Sequence, residues 1–303
     1  MKDLGGASFV LGIQIYRDHS RGILGLSQKA YIDKMLSRFG MSNCAPGNTH
    51  VAKSDKFSLH QCPKNELEKK DMERFPYASA IRSLMYAQVC TRPDIVYIVG
   101  MLSRYLSNPG MDHYKKAKRV MRYLQRTKDY ILTYHRSSHL EIVGYSNSNF
   151  IGCLDSRRST SGYVFMLAGG AVSWKSVKQT LIASSTMEAE FIACYKASNH
   201  GIWLRNFITQ LRIIDGIEKP LRINCDNKAA KLYSKNNRSP SKSKHIEIKF
   251  LVVKERVQSL QVSIEHISTN SMTADPLTKG FPPKVYHEHV THMGVVHIDD
   301  VPI

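Results

Sequence analysis

The alternation of apolar and polar residues changes character along the chain. Residues 8–18, SFVLGIQIYRD, alternate roughly as a strand does, and residues 21–28, RGILGLSQ, predict a second strand paired back on the first. Ser27 is then expected to cap a helix over QKAYIDKMLSRF, where Ile32, Leu36 and Phe39 share one face and Gly40 ends the run. Residues 42–72 are polar, carry Pro46 and Pro63, and read as a loose connector. YASAIRSLMYAQVCT and DIVYIVGMLSRYLS predict two buried helices divided by Arg92-Pro93, and the NPG at 108–110 stops the second.

The next helix, HYKKAKRVMRYLQRTK, carries two stripes. Ala117, Val120, Met121 and Leu124 make an apolar one at i, i+3, i+4, i+7. Lys115, Lys118, Arg119, Arg122 and Arg126 make a basic one, and no acid lies between 115 and 128. A solvated face and a helix laid along a phosphate backbone are both open for this stripe.

From about residue 139 the period shortens. LEIVGYS, GYVFML and AVSW predict an antiparallel three-stranded meander with a turn at Gly169-Gly170. A long helix follows from Ser185, with Met187, Phe191, Cys194 and Tyr195 near one face. Next come a strand LRINCD, a helical period over KHIEIKFLVVKERVQS, a last strand QVSIEHI and a closing segment NSMTADPLTKG. That order of elements is an α/β layer fold.

Composition narrows the class. The chain has 303 residues, long enough for two domains, and a net charge of +18, which points to a polyanionic partner, with nucleic acid the first candidate. Its six cysteines, Cys44, Cys62, Cys90, Cys153, Cys194 and Cys225, lie far apart with no C-x-x-C pair, which fits reduced thiols better than a disulfide framework or a zinc site. FVLGI is too short for a signal-peptide core, and no membrane-spanning stretch is expected. Localisation is therefore expected to be intracellular, nuclear or cytoplasmic, with no membrane partner.

Candidate chemistry lies in lone acids near strand ends and helix starts. Glu190 stands in the first turns of the long helix, Asp226 ends LRINCD and Asp275 precedes Pro276. As an ordered set they predict a carboxylate cluster for Mg²⁺, a hard ion that takes oxygen ligands and can activate water for phosphodiester cleavage. His287, Glu288, His289 and His292 contain metal-binding residue types but not H-E-x-x-H, so a polar tail is the favoured reading. Trp174 and Trp203 are expected in the core or at a hinge, and SKNNRSPSKSKH reads as a basic loop able to touch phosphate.

The stretches GYSNSNFIGC, RRSTSGYVF, SSTMEAEFIA, CDNKAA, KSKHIEIKF and ADPLTKG together resemble the RNase H domain of plant Ty1/copia-type retrotransposon polyproteins. MKDLGGASFVLGIQI resembles the last palm strands of their reverse transcriptase, and residues 77–130 resemble its thumb and connection region. The resemblance implies a mostly helical reverse-transcriptase-derived region over 1–138, an RNase H-like domain over 139–280, and a tail over 281–303. It implies remnant catalytic and metal roles for Glu190, Asp226 and Asp275. The family pattern Ser-Asp-x-Asp is here Ser146-Asn147-Ser148-Asn149, so Asn147 stands where the first catalytic Asp is expected. Arg82 stands where the family usually has Gly. The expectation is a nucleic-acid-binding protein, RNA–DNA hybrid included, with weak or absent nuclease activity; an active RNase H is an alternative that the Asn pair argues against. Mg²⁺ is needed only if the site is competent. No polymerase activity is expected, because the catalytic Asp-Asp turn is not in the sequence. Such chains also resemble one of the secreted RxLR effectors of a plant-pathogenic oomycete. That implies an alternative, action on host proteins inside plant cells after secretion, although only near misses such as RYLQ (122–125) and KPLR (219–222) occur.

Overall fold

In a computed structural model, the structure describes residues 5–52, 55–212, 219–235 and 244–301. The chain divides into two compact units, Met1–Arg136 with Gly280–Ile303, and Ser137–Lys279.

The first unit opens with strands β1 (Phe9–Val10), β2 (Ile13–Asp18) and β3 (Ile23–Ser27). β2 and β3 pair antiparallel, as the alternation predicts. Ser27 ends β3 rather than capping the helix α1 (Lys29–Arg38). Its buried hydroxyl instead accepts a hydrogen bond from the Lys29 N–H at 3.2 Å, because Gln28 takes the cap position. The expected loose connector over 42–72 contains a capped helix, α2 (Glu66–Glu73), whose Asn65 side chain accepts from the Glu68 N–H. Helices α3 (Tyr77–Cys90), α4 (Val96–Leu102) and α5 (Met111–Arg126) follow, and the apolar stripe of α5 is fully buried.

A strand absent from the sequence reading comes next, β4 (Tyr130–His135), pairing with β3. Its YILTYH carries a β-prone composition, but it directly abuts the α5 pattern and hides in its shadow.

The second unit begins with β5 (Val143–Asn149), β6 (Thr160–Leu167) and β7 (Gly170–Lys178), the expected meander. Its turn lies at Ala168-Gly169, both with positive φ, and not at Gly169-Gly170. Gly170 is already paired with Leu167. Helix α6 (Thr186–Gln210) is capped by Ser185, which accepts from the Glu188 N–H. Then come β8 (Leu221–Cys225), α7 (Lys228–Lys235), α8 (Lys244–Gln258) and β9 (Val262–His266). β8 joins β5 in parallel and β9 joins β8 in parallel, giving the order β7-β6-β5-β8-β9. Phe165, Ile223, Ile264, Phe191, Cys194 and Phe250 form its core between sheet and helices.

The chain ends in α9 (Pro283–His292) and β10 (Val295–His297). The stretch expected to be a tail over 281–303 instead completes the first sheet, because Val295–His297 of β10 pair with β4 and that sheet runs β1-β2-β3-β4-β10. The tyrosine hydroxyl of Tyr286 donates to the Asp94 carbonyl at 2.6 Å. The first unit is therefore helical but built around a five-stranded antiparallel sheet. No described helix is long and apolar enough to cross a membrane.

Candidate functional site

The central strand β5 carries Asn147 in register with Gly162 of β6. A Cβ at Gly162 would meet Thr278 Cγ2 at 2.7 Å and Leu277 Cβ at 2.8 Å. The absence of a side chain there lets the turn Asp275–Leu277 lie directly on the sheet. That close approach delivers Asp275, 1% exposed, to Asn147, 2% exposed.

Five hydrogen-bonded groups meet at this point. The Asn147 amide donates from Nδ2 to Asp275 Oδ1 and, at 3.1 Å, to the Thr278 hydroxyl. Asn147 Oδ1 accepts from the Ser148 N–H at 2.7 Å. The same N–H donates to Glu190 Oε1 at 3.0 Å. Glu190 comes from the first turns of α6, and its other oxygen, Oε2, is buried with no hydrogen-bond partner. Asp226, at the end of β8, brings a carboxylate oxygen to within 4.8 Å of ligand atoms of Glu190 and Cys225. The structure thus joins Asn147 to Asp275 directly, links Glu190 to Asn147 through the shared Ser148 N–H, and brings Asp226 in by proximity to Glu190.

Electrostatics divides this cluster in two. Burial pushes the Glu190 carboxyl well above the usual carboxylate range, Cys225, Asp226 and Asp275 push the same way, and the one bond from Ser148 opposes them. Burial also raises Asp275, to about 6, although Lys279 holds it by an ion pair of 2.9 Å. A hydrogen bond with Cys194 and burial push the Cys225 thiol up, so it stays protonated and offers no hard ligand. The residues therefore fit a hard divalent cation on the Glu190–Asp226 side, where an unpartnered buried oxygen lacks a counter-charge. On the Asp275 side, an ammonium and an amide already occupy the carboxylate.

Several of these contributors escape a sequence reading. Gly162 and Cys225 carry no chemical signal of their own. Thr278 and Lys279 follow Asp275 by three and four residues, the spacing that folds back over one turn, and that spacing was available. Gln179, fully buried, donates to Ser161 Oγ at 2.9 Å and to the Ala189 carbonyl at 2.9 Å, and so ties β6 to α6 beside the site.

The other candidates sit elsewhere. Lys115, Lys118, Arg119, Arg122 and Arg126 all lie on α5 of the first unit. Arg119 is turned to Asp55 at 2.7 Å, alongside Lys116, and Lys118 lies over the Tyr114 ring. Lys115, Arg122 and Arg126 are exposed. His289 is buried against Phe281 within α9, and its histidine neighbours join no metal-sized group among the described residues. Trp203 is not a core residue: it is 57% exposed on α6 and stacks on Phe207. Of the basic loop SKNNRSPSKSKH, residues 236–243 lie outside the described residues.

The chain is 40% identical, over 93% of its length, to the retrovirus-related Pol polyprotein from transposon TNT 1-94 of Nicotiana tabacum, of which it covers 21%. It is 31% identical over 98% of its length to that of transposon RE1 of Arabidopsis thaliana, covering 20%. It therefore spans about a fifth of the length of these relatives. A shorter relative, secreted RxLR effector protein 161 of Plasmopara viticola, is 46% identical over 44% of the chain, which covers 94% of that protein. Among solved structures, RNase H1 of Halobacterium salinarum NRC-1 is 14% identical with a TM-score of 0.32, over 46% of this chain and 94% of that one. No protein-family model matches the chain.

Proposed function

This chain belongs to the retrovirus-related Pol polyproteins of plant Ty1/copia-type transposons, and from that premise we propose that its Ser137–Lys279 unit binds nucleic acid as an RNase H-type domain that cleaves an RNA–DNA hybrid slowly or not at all. The unit has the RNase H-like order of strands and helices. The observation that carries the reading is the Asn147 amide, placed on the central strand and bonded to Asp275.

When bound, Mg²⁺ would polarise water and steady the leaving oxygen. Glu190 and Asp226 are the residues that would hold it. Asn147 keeps the shape of an acid and one carbonyl oxygen but brings no charge. Its Nδ2 donates to Asp275, so amide and acid attract one another where two carboxylates would repel and call for cations. Asp275 is further neutralised by Lys279. A cluster built this way has less negative charge to place around a phosphodiester, and one missing electrostatic group costs on the order of 10²–10³ in rate.

The net charge of +18 and the exposed Lys115, Arg122 and Arg126 of α5 support contact with phosphates. The test is the full chain with Asn147→Asp, assayed on an RNA–DNA hybrid with Mg²⁺. Cleavage is expected to rise by about 10²-fold or more. Equal rates for the wild type and the variant would overturn the reading.

A second reading rests on the 46% identity to an RxLR effector. In it, the inherited fold serves contact with plant host proteins after delivery into the cell. Expression in leaf tissue separates the two: a changed cell-death response that persists in Glu190→Ala supports this reading, and inertness removes it.

A further inference from the structure

A second feature of the Ser137–Lys279 unit lies far from the carboxylates. Lys196, Asn199, His200, Trp203 and Phe207 recur along α6 at i, i+3, i+4, i+7 and i+11, so they share one helical face. Facing them, Lys175 of the edge strand β7 pairs in register with Tyr163 of β6. Tyr163, Lys175, Val177, Lys196, Asn199, His200 and Trp203 line one cavity of about 430 Å³. The site is aromatic: Tyr163, His200, Trp203 and Phe207 form a ladder with centroid spacings of 5.3, 5.3 and 5.6 Å.

It is also charged and uncompensated. Neither Lys175 nor Lys196 forms an ion pair among the described residues. Burial first, and then Lys175 and Lys249, bring the Lys196 ammonium down to about 8, with no acid among the causes. Lysine on an edge strand is a common guard against strand pairing. That role does not account for a Trp left 57% exposed beside it, nor for a half-buried second lysine on the facing helix. A half-buried hydroxyl–imidazole contact, Ser173 Oγ to His200 Nε2 at 2.6 Å, fixes the His200 ring in the ladder.

We propose that this groove binds a single-stranded nucleic acid segment, an unpaired base stacking against Trp203 and its backbone phosphate meeting Lys175 and Lys196. The charge complementarity selects an anion, and the aromatic ladder selects an anion that carries a flat ring, which together describe a nucleotide of an unpaired strand. Paired bases hide the faces that the ladder would stack. The groove is remote from the acids: Trp203 follows Glu190 by thirteen residues on one helix, about 20 Å along its axis. The site therefore deepens the nucleic-acid reading above but does not depend on the carboxylates.

The chain contains two tryptophans, Trp174 and Trp203. In the full chain with Trp174→Phe, the remaining emission comes from Trp203 and is titrated with a single-stranded oligo(dT) and, separately, with poly-glutamate. The expected result is saturable quenching by oligo(dT), at least tenfold weaker binding in Lys175→Glu and in Lys196→Gln, and no quenching by poly-glutamate. Glu190→Gln is expected to leave the quenching unchanged. Absent quenching, equal quenching by poly-glutamate, or affinity unaffected by both lysine variants would overturn the proposal. Hybrid cleavage by Asn147→Asp is a separate readout, so failure of either reading is seen without the other.

Discussion

Asp94 in the first unit and Glu190 in the second are both buried carboxylates, and they are handled in opposite ways. Asp94 is wholly enclosed. Burial pushes its pKa up, but the Arg92 guanidinium, donating from Nε at 2.9 Å and Nη2 at 2.6 Å, and the Tyr123 hydroxyl at 2.8 Å outweigh burial and hold it below the usual range. Arg92 is itself completed by the Thr127 carbonyl and hydroxyl. Glu190 has one backbone bond, one orphaned oxygen and neighbouring acids. An acid whose counter-charge is built into the chain is a structural element. An acid buried without one is held in an unfavourable state by the fold, and the relief must come from outside, as a proton or a cation.

The largest break in this comparison is expected at Asp94. Asp94→Ala leaves the Arg92 charge buried and unpaired, and chemical denaturation should show a loss of about 3–5 kcal/mol. Glu190→Gln should do the reverse in a metal-free buffer, raising the stability of the second unit by about 1 kcal/mol at pH 8, because a charge that burial disfavours is gone. Both tryptophans, Trp174 and Trp203, lie in the second unit, so their emission reports its unfolding within the intact chain. Added Mg²⁺ should shift the wild-type transition upward and leave that of Glu190→Gln unchanged.

The smallest effect sharpens the contrast through pH. His50 is buried between Tyr123 and Tyr286, and burial brings its pKa down to about 4. The folded first unit then binds a proton less readily than the unfolded chain, so the stability from neutral His50 is present above about 6.5 and is lost as pH falls towards 4. Asp275 has the opposite sign. Its folded pKa is raised to about 6, so its contribution is full below its ordinary 3.8 and is lost as pH rises through 6. Between pH 4 and 6 the two units should drift in opposite directions, with hydrogen exchange reading each, and His50→Phe should flatten the first drift.

Much of this molecule is written locally. The pairing of β2 with β3, the buried stripe of α5, the three-stranded meander and the long helix of Glu190 follow from period, turn residues and caps, which a few neighbouring residues specify. The motif order singled out Asn147, Glu190, Asp226 and Asp275. Other features had no local sign. β4 was hidden because its alternation runs straight on from a helix, and residues 281–303 were read as a tail because β10 finds its partner more than 150 residues earlier. For Trp203 the sequence offers the core or a hinge, because an aromatic on a long helix can face either way, and only packing chooses the exposed face.

The sequence by itself determined the β2–β3 hairpin, α5 with its apolar stripe, the three-stranded meander, the long helix that follows it, the excess of positive charge and the amide at position 147. Each of these is a property of residues within a turn or two of one another, or of simple addition. Only the tertiary structure decided that the Asn147 amide is spent on Asp275, that Gly162 opens the space for that contact, and that Lys279 neutralises one side of the cluster while Glu190 stays uncompensated. The physical reason is that a buried group's charge state depends on what lies within a few ångströms in space, and here those neighbours come from four separate stretches of the chain.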